Sequence, residues 1–337
     1  MIPIYILLLM VIVSSSFLFA TSFAVSTDWS TAIRIKVDQS GYGDYKKIQD
    51  AIDVVPSNNS YNVLIWIEQG TYIEKVVVPA DKPFITLSGS NSSTTIITWS
   101  DHGNIMECPT LSILATDFVA RNLTIQNTYG AGDTAVALKV SADRAAFYGC
   151  RILSYQDTIL DDKGMHYYSS CYIEGATDFI CGDAASIFKK CHLHSTSERA
   201  GAITAQCRKS PFSSTGFIFL GCNITGVDTC LLGRPWGNYS RVVFAKTFMS
   251  SAVLSQGWDD WGHPSTHSTA YYGEYQCYGP GAATSGRVEW SQNLSNKEAK
   301  PFLTMDIIGG GAWLKPPPTH FENFSSIIYN SVDGNKY

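Results

Sequence analysis

The sequence predicts an all-β protein wound into a single-stranded right-handed parallel β-helix, or solenoid, with a short helix capping its N-terminal end. Two consecutive segments follow one pattern, FYGCRILSYQDTIL (147–160) and YSSCYIEGATDFIC (168–181), and their cysteines lie 21 residues apart. A period of about twenty residues, with an aromatic, a small or sulfur-containing and an aliphatic residue at fixed offsets, is typical of solenoid proteins. A β-sandwich fits less well, because its strands do not repeat side-chain types from coil to coil.

The repeat continues on both sides of these two copies. FKKCHLHS (188–195) and FLGCNITG (219–226) follow them, and VARNLTIQN (119–127) precedes them. The runs are short, rich in β-branched and aromatic residues, and separated by Gly, Asn, Asp or Ser, which indicates strands and turns rather than helices. We expect the repeated cysteines to stack inside the solenoid as small apolar residues. These cysteines are Cys150, Cys171, Cys191 and Cys222.

One segment near the N-terminus has the pattern of a helix instead. In DYKKIQDAIDVVP (44–56) the apolar residues recur at helical spacing, and Pro56 marks the end of the segment. We expect this short amphipathic helix to cover the open end of the solenoid.

The chain divides into two regions. Residues 2–20 are apolar and uncharged, and the small residues Ser22 and Ala24 follow them, as in a secretory signal peptide. We therefore assign residues 1–24 to a signal peptide and residues 31–337 to one β-helix domain. An uncleaved anchor is the alternative for the first segment, whereas cleavage leaves a secreted protein with no membrane segment. Seven Asn-x-Ser/Thr sequons agree with secretion and predict a glycoprotein.

Composition excludes several classes of partner. The chain carries 24 Lys and Arg against 29 Asp and Glu, a formal net charge of −5, and no basic cluster, so we expect no binding to nucleic acid. It contains no phosphate-binding loop and no Cys or His pair at metal-ligand spacing, so we expect neither a cofactor nor a metal. We expect a monomer. Nine cysteines, an odd number, leave at least one thiol unpaired within the chain.

Two aspartates occupy the same place in the two repeat copies. Asp157 and Asp178 each lie seven residues beyond their cysteine. Neighbouring coils of a parallel β-structure lie about 4.8 Å apart, so the two carboxylates are expected to share one site. Like charges at that distance raise the pKa of one acid and leave the other ionised, which provides an acid and a nucleophile.

Eight sequence blocks along the chain resemble those of the plant pectin methylesterases, or pectinesterases. Their order and spacing match nearly the whole chain after residue 31, and the match is to the form that lacks an inhibitor-like pro-region. The blocks are GTYIEKV (70–76), TAVALKV (134–140), YQDTIL (155–160), ATDFICG (176–182), ITAQCR (203–208), LGRPWGNYSRVVF (232–244), QGW (256–258) and YYGEYQCYGPGA (271–282).

The resemblance implies an enzyme that hydrolyses the C6 methyl esters of homogalacturonan in the plant cell wall, or apoplast, through an aspartyl acyl-enzyme. Methyl-esterified homogalacturonan is then the substrate, and a proteinaceous pectinesterase inhibitor is a further candidate partner. The products are methanol and free carboxylate. Because the chain is acidic, we expect the carboxylate product to repel it, so that it dissociates after few turnovers.

The resemblance also assigns roles to individual residues. Asp178 is the nucleophile, Asp157 the general acid and base, and Gln156 the donor that stabilises the oxyanion. Arg234 is expected to hold Asp178 ionised, because a nearby opposite charge lowers a carboxyl pKa. The residues expected to bind substrate are Thr134, Phe179, Trp236 and Trp258.

Two departures from the family pattern bear on the rate of the reaction. Thr134 replaces the glutamine of the family block QAVAL, and its hydroxyl is shorter and donates only one hydrogen bond. Ile105 replaces a threonine that contacts substrate in many relatives. The alternatives to a working esterase are therefore a catalytically weakened pectin-binding homologue and, on geometry alone, a β-helix glycosidase, whose retaining mechanism also uses two close carboxyl groups.

Overall fold

The strands of the protein form three parallel sheets that wind around one interior. The structure is a computed structural model that describes residues 30–323, so the predicted signal segment 1–24 lies outside the described residues. Within them, the sheets contain 12, 8 and 7 strands, which we name sheets A, B and C. Each full coil contributes one strand to each sheet in turn, and neighbouring strands pair in parallel. The predicted β-helix is confirmed.

The strands are short in all three sheets. Sheet A contains Thr31–Val37 (β1), Val63–Ile67 (β2), Ile85–Gly89 (β5), Phe118–Arg121 (β8), Ala145–Tyr148 (β11), Met165–Ser169 (β14), Ala185–Lys189 (β17), Gly216–Leu220 (β20), Arg241–Ala245 (β23), Tyr271–Tyr275 (β25), Gln292–Asn293 (β26) and His320–Asn323 (β27). Sheet B contains Gly70–Ile73 (β3), Thr95–Trp99 (β6), Thr124–Asn127 (β9), Arg151–Leu153 (β12), Tyr172–Gly175 (β15), His192–Ser195 (β18), Asn223–Gly226 (β21) and Phe248–Met249 (β24). Sheet C contains Val76–Val78 (β4), Leu111–Ile113 (β7), Leu138–Ser141 (β10), Ile159–Lys163 (β13), Ile180–Gly182 (β16), Gly201–Gln206 (β19) and Cys230–Pro235 (β22).

Helices are few and short. The α-helices are Ile48–Asp53 (α1), Asn296–Ala299 (α2) and Gly310–Trp313 (α3). The 3₁₀-helices are Pro264–Ser268, Pro280–Ala282, Thr284–Gly286, Lys300–Leu303 and Met305–Ile308. None of the helices between residues 30 and 323 is long and apolar enough to cross a membrane.

An aromatic column fills the interior behind sheet A. Phe147, Tyr168, Phe188, Phe219 and Phe244 come from five successive coils, and each ring stacks on the next at centroid distances of 4.5–4.7 Å. All five side chains are fully buried. Each stacked pair contributes about 0.5–1.5 kcal/mol beyond the burial of its area. The repeated aromatic residue of the sequence therefore provides a continuous interior contact through five successive coils.

The repeated cysteines form a second column beside the rings. The thiols of Cys171, Cys191 and Cys222 each donate to the backbone carbonyl of the aromatic residue one coil before, at 3.5, 3.5 and 3.2 Å. Burial raises the pKa of the Cys171 and Cys191 thiols well above the ordinary value. All nine cysteines are free thiols. The predicted interior stack is confirmed, and these thiols serve packing rather than reactivity.

Helix α1 covers the N-terminal end of the solenoid and is shorter than the sequence predicts. Its buried face packs against β1, β2 and β4. The carboxylate of Glu74 accepts hydrogen bonds from the backbone N–H groups of Ile48 and Gln49, at 3.0 and 3.1 Å, and so satisfies the first turn. Tyr45 is not helical because it pairs with Val37 at the end of β1. Val55 precedes Pro56, and the residue before a proline avoids the helical conformation.

A buried ion pair joins two elements of neighbouring sheets. His166 on β14 approaches Asp161 on β13 with Nδ1 at 2.6 Å from the carboxylate, and its Nε2 lies 2.8 Å from the carbonyl oxygen of Ala142. A carbonyl oxygen and a carboxylate are both hydrogen-bond acceptors, so these two neighbours favour the imidazolium form, which donates from both ring nitrogens. Tyr168 donates to the same carboxylate at 2.8 Å. Although desolvation opposes the charge, Asp161 and its hydrogen bond raise the pKa of His166 above 6.5.

We expect the stability of the protein to fall as pH rises through the raised pKa of His166. A histidine whose pKa is higher in the folded than in the unfolded protein contributes its full stabilisation of the fold at pH values below the unfolded pKa of 6.5. That contribution is lost as pH rises above the folded pKa. In His166→Gln this loss disappears, and the variant is less stable at low pH by about 3–5 kcal/mol, because Asp161 is left unpaired. Urea unfolding at a series of pH values measures both effects.

His194→Gln is the matched control, since His194 is only half-buried and bonds to Thr225 rather than to an acid. Parallel pH profiles for the wild type and His166→Gln would contradict the ion pair.

Candidate active site

The two aspartates lie side by side where the chain enters sheet C. Asp157 and Asp178 stand just before β13 and β16, which are neighbouring strands of that sheet. The backbone N–H of Asp157 donates to the carbonyl of Thr177 at 3.1 Å, and Gln156 pairs with Thr177 in a parallel bridge. Both aspartates have positive φ, 57° and 47°, a conformation that aspartate tolerates better than most residues. The repeat therefore gives both acids the same backbone geometry, and both line one cleft.

Arg234 binds one of the two acids with both arms of its guanidinium. It lies on β22, two strands beyond the strand that follows Asp178. Its Nε donates to Oδ1 of Asp178 at 2.8 Å and its Nη2 donates to Oδ2 at 2.6 Å. A fork of this kind fixes the orientation of the carboxylate as well as its charge. The ring of Trp261 covers the guanidinium at 3.8 Å from its centroid, which adds a cation–π contact.

The two carboxyl groups differ in their neighbours, because within the described residues only Asp178 has a cation bound to it. Burial and the negative charge of Asp178 together raise the pKa of Asp157 to about 6, against the hydrogen bonds from Thr134 and Gln156 and the charge of Arg234. Burial also raises the pKa of Asp178, and Arg234 opposes that rise. The expected lowering of the Asp178 pKa is therefore wrong in its net direction, since desolvation outweighs Arg234. The asymmetry remains, because the bound arginine favours the ionised form of Asp178 and Asp157 has no bound cation.

Thr134 lines the cleft, and its hydroxyl is bonded to Asp157. Its hydroxyl donates to Oδ2 of Asp157 at 2.7 Å, and Nε2 of Gln156 donates to the same hydroxyl at 3.4 Å. A threonine hydroxyl has one proton, so this bond uses the only donor that Thr134 has. The amide of Gln156 has two protons, so it can serve both this hydroxyl and the carboxyl group of Asp157.

The cleft around the acids is open and partly aromatic. Its volume is about 370 Å³, within the usual range for a ligand site. Trp236 is 45% exposed and Trp261 is 37% exposed, so both rings are accessible at the cleft. The lining residues are Gly103, Ile105, Thr134, Gln156, Asp157, Asp178, Cys181, Ala205, Arg234, Trp236 and Trp261.

Two residues predicted to bind substrate lie in the core instead. Trp258 is 0% exposed and stacks on Tyr272 at 4.3 Å, where it extends the aromatic column. It fits there because its partner across the bridge is Gly233, which has no side chain in its way. Phe179 is also 0% exposed, and it packs beneath Gly175. Both assignments are corrected: neither side chain reaches the cleft.

Trp261 lines the cleft, although the sequence blocks did not point to it. It lies three residues beyond Trp258 in the segment QGWDDWG, which therefore offers two tryptophans as candidates for contact with substrate. Its φ of 56° turns the backbone at this point, and the backbone N–H donates to Asp259 at 2.7 Å. Nothing in the sequence pattern indicated which of the two rings would face outward.

Comparison with solved structures agrees with the fold described above. The structure of pectin methylesterase from carrot is 36% identical, with a TM-score of 0.81, and covers 83% of this chain and 94% of that one. The pectin methylesterase from Aspergillus niger is 31% identical, with a TM-score of 0.75, and covers 83% and 96%. The likeness confirms the right-handed parallel β-helix.

Sequence comparison identifies the family. The Arabidopsis thaliana protein named "Putative pectinesterase 11" is 59% identical over 300 residues, which make up 88% of this chain and 85% of that protein. The family model Pectinesterase matches residues 34–311. The chain therefore belongs to the pectinesterase family.

Proposed function

We propose that this protein is a pectin methylesterase, which hydrolyses the C6 methyl esters of homogalacturonan to free carboxylate and methanol. The observation that carries the proposal is the paired acid geometry: Asp178 is held by Arg234 beside Asp157, whose pKa burial raises to about 6, in an open cleft. Membership of the pectinesterase family supports the choice of reaction and of substrate.

The first half of the reaction forms an acyl-enzyme. The ionised carboxylate of Asp178 attacks the ester carbonyl carbon, and the carbonyl oxygen becomes a tetrahedral oxyanion. The amide of Gln156 exchanges its long, 3.4 Å hydrogen bond to Thr134 for one to that oxyanion and so stabilises it. The C–O bond to the methoxy group then breaks, and Asp157 gives its proton to the leaving methoxide. Methanol departs, and a mixed anhydride joins Asp178 to the galacturonate.

The second half regenerates both acids. Asp157, now ionised, takes a proton from a water molecule as the water attacks the galacturonate carbonyl of the anhydride. The bond to Asp178 breaks, so Asp178 leaves as the carboxylate that Arg234 binds. Asp157 is again protonated, and the new carboxylic acid loses its proton to solvent.

The structure bears on the alternative of a weakened homologue through Thr134. The hydroxyl of Thr134 is bonded to Asp157, so it adds no second donor for the oxyanion. We propose that Thr134 orients Asp157 and that Gln156 alone stabilises the oxyanion. The enzyme then works with one donor fewer than relatives that carry glutamine at this position. The glycosidase alternative is not favoured, because the family is one of esterases.

The setting of the reaction is part of the proposal. We propose that the protein is a secreted, monomeric glycoprotein of the plant cell wall, the place where pectin occurs. We further propose that a proteinaceous pectinesterase inhibitor is a candidate partner at the open cleft.

Asp178→Asn tests the nucleophile. We expect methanol release from methyl-esterified pectin to fall by more than about 10³-fold, because an amide cannot form the acyl-enzyme. Asp162→Asn is the matched control: Asp162 lies on β13 and bonds to Ser141 outside the cleft, so this variant should keep its activity. Methanol release by folded Asp178→Asn at the wild-type rate would refute the mechanism. Shortening of the polysaccharide by the wild-type protein would indicate a glycosidase.

The pH dependence of kcat/KM reports on Asp157. The free enzyme must hold Asp178 ionised and Asp157 protonated, so we expect kcat/KM to fall as pH rises through the Asp157 pKa of about 6. Thr134→Val removes a hydrogen bond that lowers this pKa, so its alkaline limb should move to higher pH. A limb at the same pH in Thr134→Val and the wild type would show that Thr134 does not act on Asp157.

Thr134→Gln tests whether the missing oxyanion donor limits the rate. We expect kcat to rise, by up to about 10²-fold, because one well-placed donor contributes about 10²–10³ in rate. Single-turnover measurement of methanol release separates this step from product release. Thr134→Ser, which keeps the hydroxyl, is the control and should leave kcat within a few-fold of the wild type. An unchanged kcat in Thr134→Gln would reject the weakened-homologue alternative.

A further inference from the structure

A second groove lies outside the cleft. It is formed by the first residues of strands β23 and β25 of sheet A and by the short helices near the C-terminus. Its volume is about 990 Å³. Its walls combine cationic side chains with aromatic rings. The residues that carry the argument are Arg208, Tyr239, Arg241, Tyr271, Lys300 and Phe302.

Two arginines in this groove have no carboxylate bound to them within the described part of the chain. Arg208 is buried, and its guanidinium donates only to backbone carbonyls, those of Pro211, Ser213 and Tyr239, at 2.6–3.1 Å. The stem of Arg241 packs over Gly216, but among residues 30–323 its guanidinium has no hydrogen-bond or ion-pair partner. Burial and the charge of Arg208 lower the pKa of Arg241. A half-buried pair of like charges is stabilised when an anion binds beside it.

The acids of the same groove do not neutralise these arginines. Glu298 accepts hydrogen bonds from the backbone and hydroxyl of Ser295, at 2.8 and 2.7 Å. Asp306 accepts from the hydroxyl of Thr304 at 3.0 Å. Neither acid forms an ion pair with Arg208 or Arg241 among the described residues, so the lining has three cations against two acids. Lys300, which is exposed, adds a third positive charge to the groove.

The aromatic rings of the groove suit a sugar chain. Tyr271 lies 5.7 Å from Phe302 between ring centroids, and Tyr239 lines the groove with them. All three rings are only half-buried. Rings that present an apolar face together with a polar edge bind pyranose rings, and arginine forks bind their carboxylates.

The groove is connected to the cleft by a short stretch of backbone. The N–H of Trp236, the aromatic residue of the cleft, donates to the carbonyl of Gln206 at 3.2 Å, and the N–H of Tyr239 donates to the carbonyl of Arg208 at 3.0 Å. Three residues of chain span at most about 11 Å, so the second groove begins within that distance of Trp236. A polysaccharide that leaves the cleft past Trp236 can reach it.

We propose that this groove is a second carbohydrate site, in which Arg241 and Lys300 bind the carboxylates of a demethylated stretch of galacturonan and the buried charge of Arg208 adds to the attraction. The identity of the polysaccharide rests on the proposed function, whereas the preference for an acidic sugar chain rests on the groove itself. The site holds the product end of the polymer while the cleft acts on esters nearby, which raises the effective concentration of substrate.

Lys300→Glu tests the proposal with least risk to folding, because the side chain is exposed. We expect its affinity for a short unmethylated oligogalacturonate, measured by isothermal titration calorimetry at low ionic strength, to fall about tenfold. Lys297→Glu is the matched control: it makes the same change in net charge three residues away, outside the groove, and should alter affinity little. Equal losses in the two variants would refute the site, since they would show a response to net charge alone.

Arg241→Gln tests the central cation. We expect a loss of oligogalacturonate affinity of about tenfold or more, with little change in kcat for a short methyl-esterified oligomer and a raised KM for pectin. A wild-type affinity in folded Arg241→Gln would overturn the proposal. The titrations need no turnover, so absence of methanol release would sink the proposed function and leave this result unaffected.

Discussion

The parallel register between successive coils is the constraint on which the rest of this structure depends. Because each strand pairs in parallel with its counterpart about 4.8 Å away, any residue type repeated in the sequence becomes a column in space. Inside the solenoid this produces the aromatic and cysteine columns. At the entry to sheet C it brings Asp157 next to Asp178. One geometric rule therefore builds both the core and the acid pair, so the rigidity of the core also fixes the site.

Two buried acids placed together disfavour each other's ionised form, and their neighbours compensate for this at Asp178 more than at Asp157. Burial raises the pKa of both carboxyl groups, but only Asp178 receives a bidentate arginine, and Trp261 covers the other side of that arginine. Asp157 receives neutral donors instead, from Thr134 and Gln156. Because a cation stabilises the charged form more strongly than a hydroxyl does, the first proton lost comes from Asp178. The difference between nucleophile and acid thus arises from the neighbours and not from the aspartates themselves.

The sequence predicted the features that depend on repetition and missed those that depend on orientation. The β-helix and the pairing of Asp157 with Asp178 follow from equal offsets in two copies. Arg234 came from the family resemblance, since no local pattern links it to an acid 56 residues earlier. Trp258 and Phe179 were predicted to bind substrate because they lie close to site residues in the sequence. In the structure both rings are buried, and each packs against a glycine, Gly233 or Gly175, that leaves room for it. The hydroxyl contact of Thr134 depends on a side-chain torsion, which composition and spacing do not determine.

Two kinds of electrostatic interaction affect how this protein binds a polyanion. One is the average field of its net charge, and the other is direct contact with single cationic side chains. The net charge of −5 implies repulsion of demethylated product over the whole surface. That repulsion is spread over many exposed side chains, and salt screens it beyond about 8 Å at physiological ionic strength. In the proposed groove, Arg241 would act on a bound carboxylate at contact distance, where screening is weaker. Release of product after few turnovers therefore does not follow from net charge alone, because a carboxylate in contact with this cation would be held against the average field.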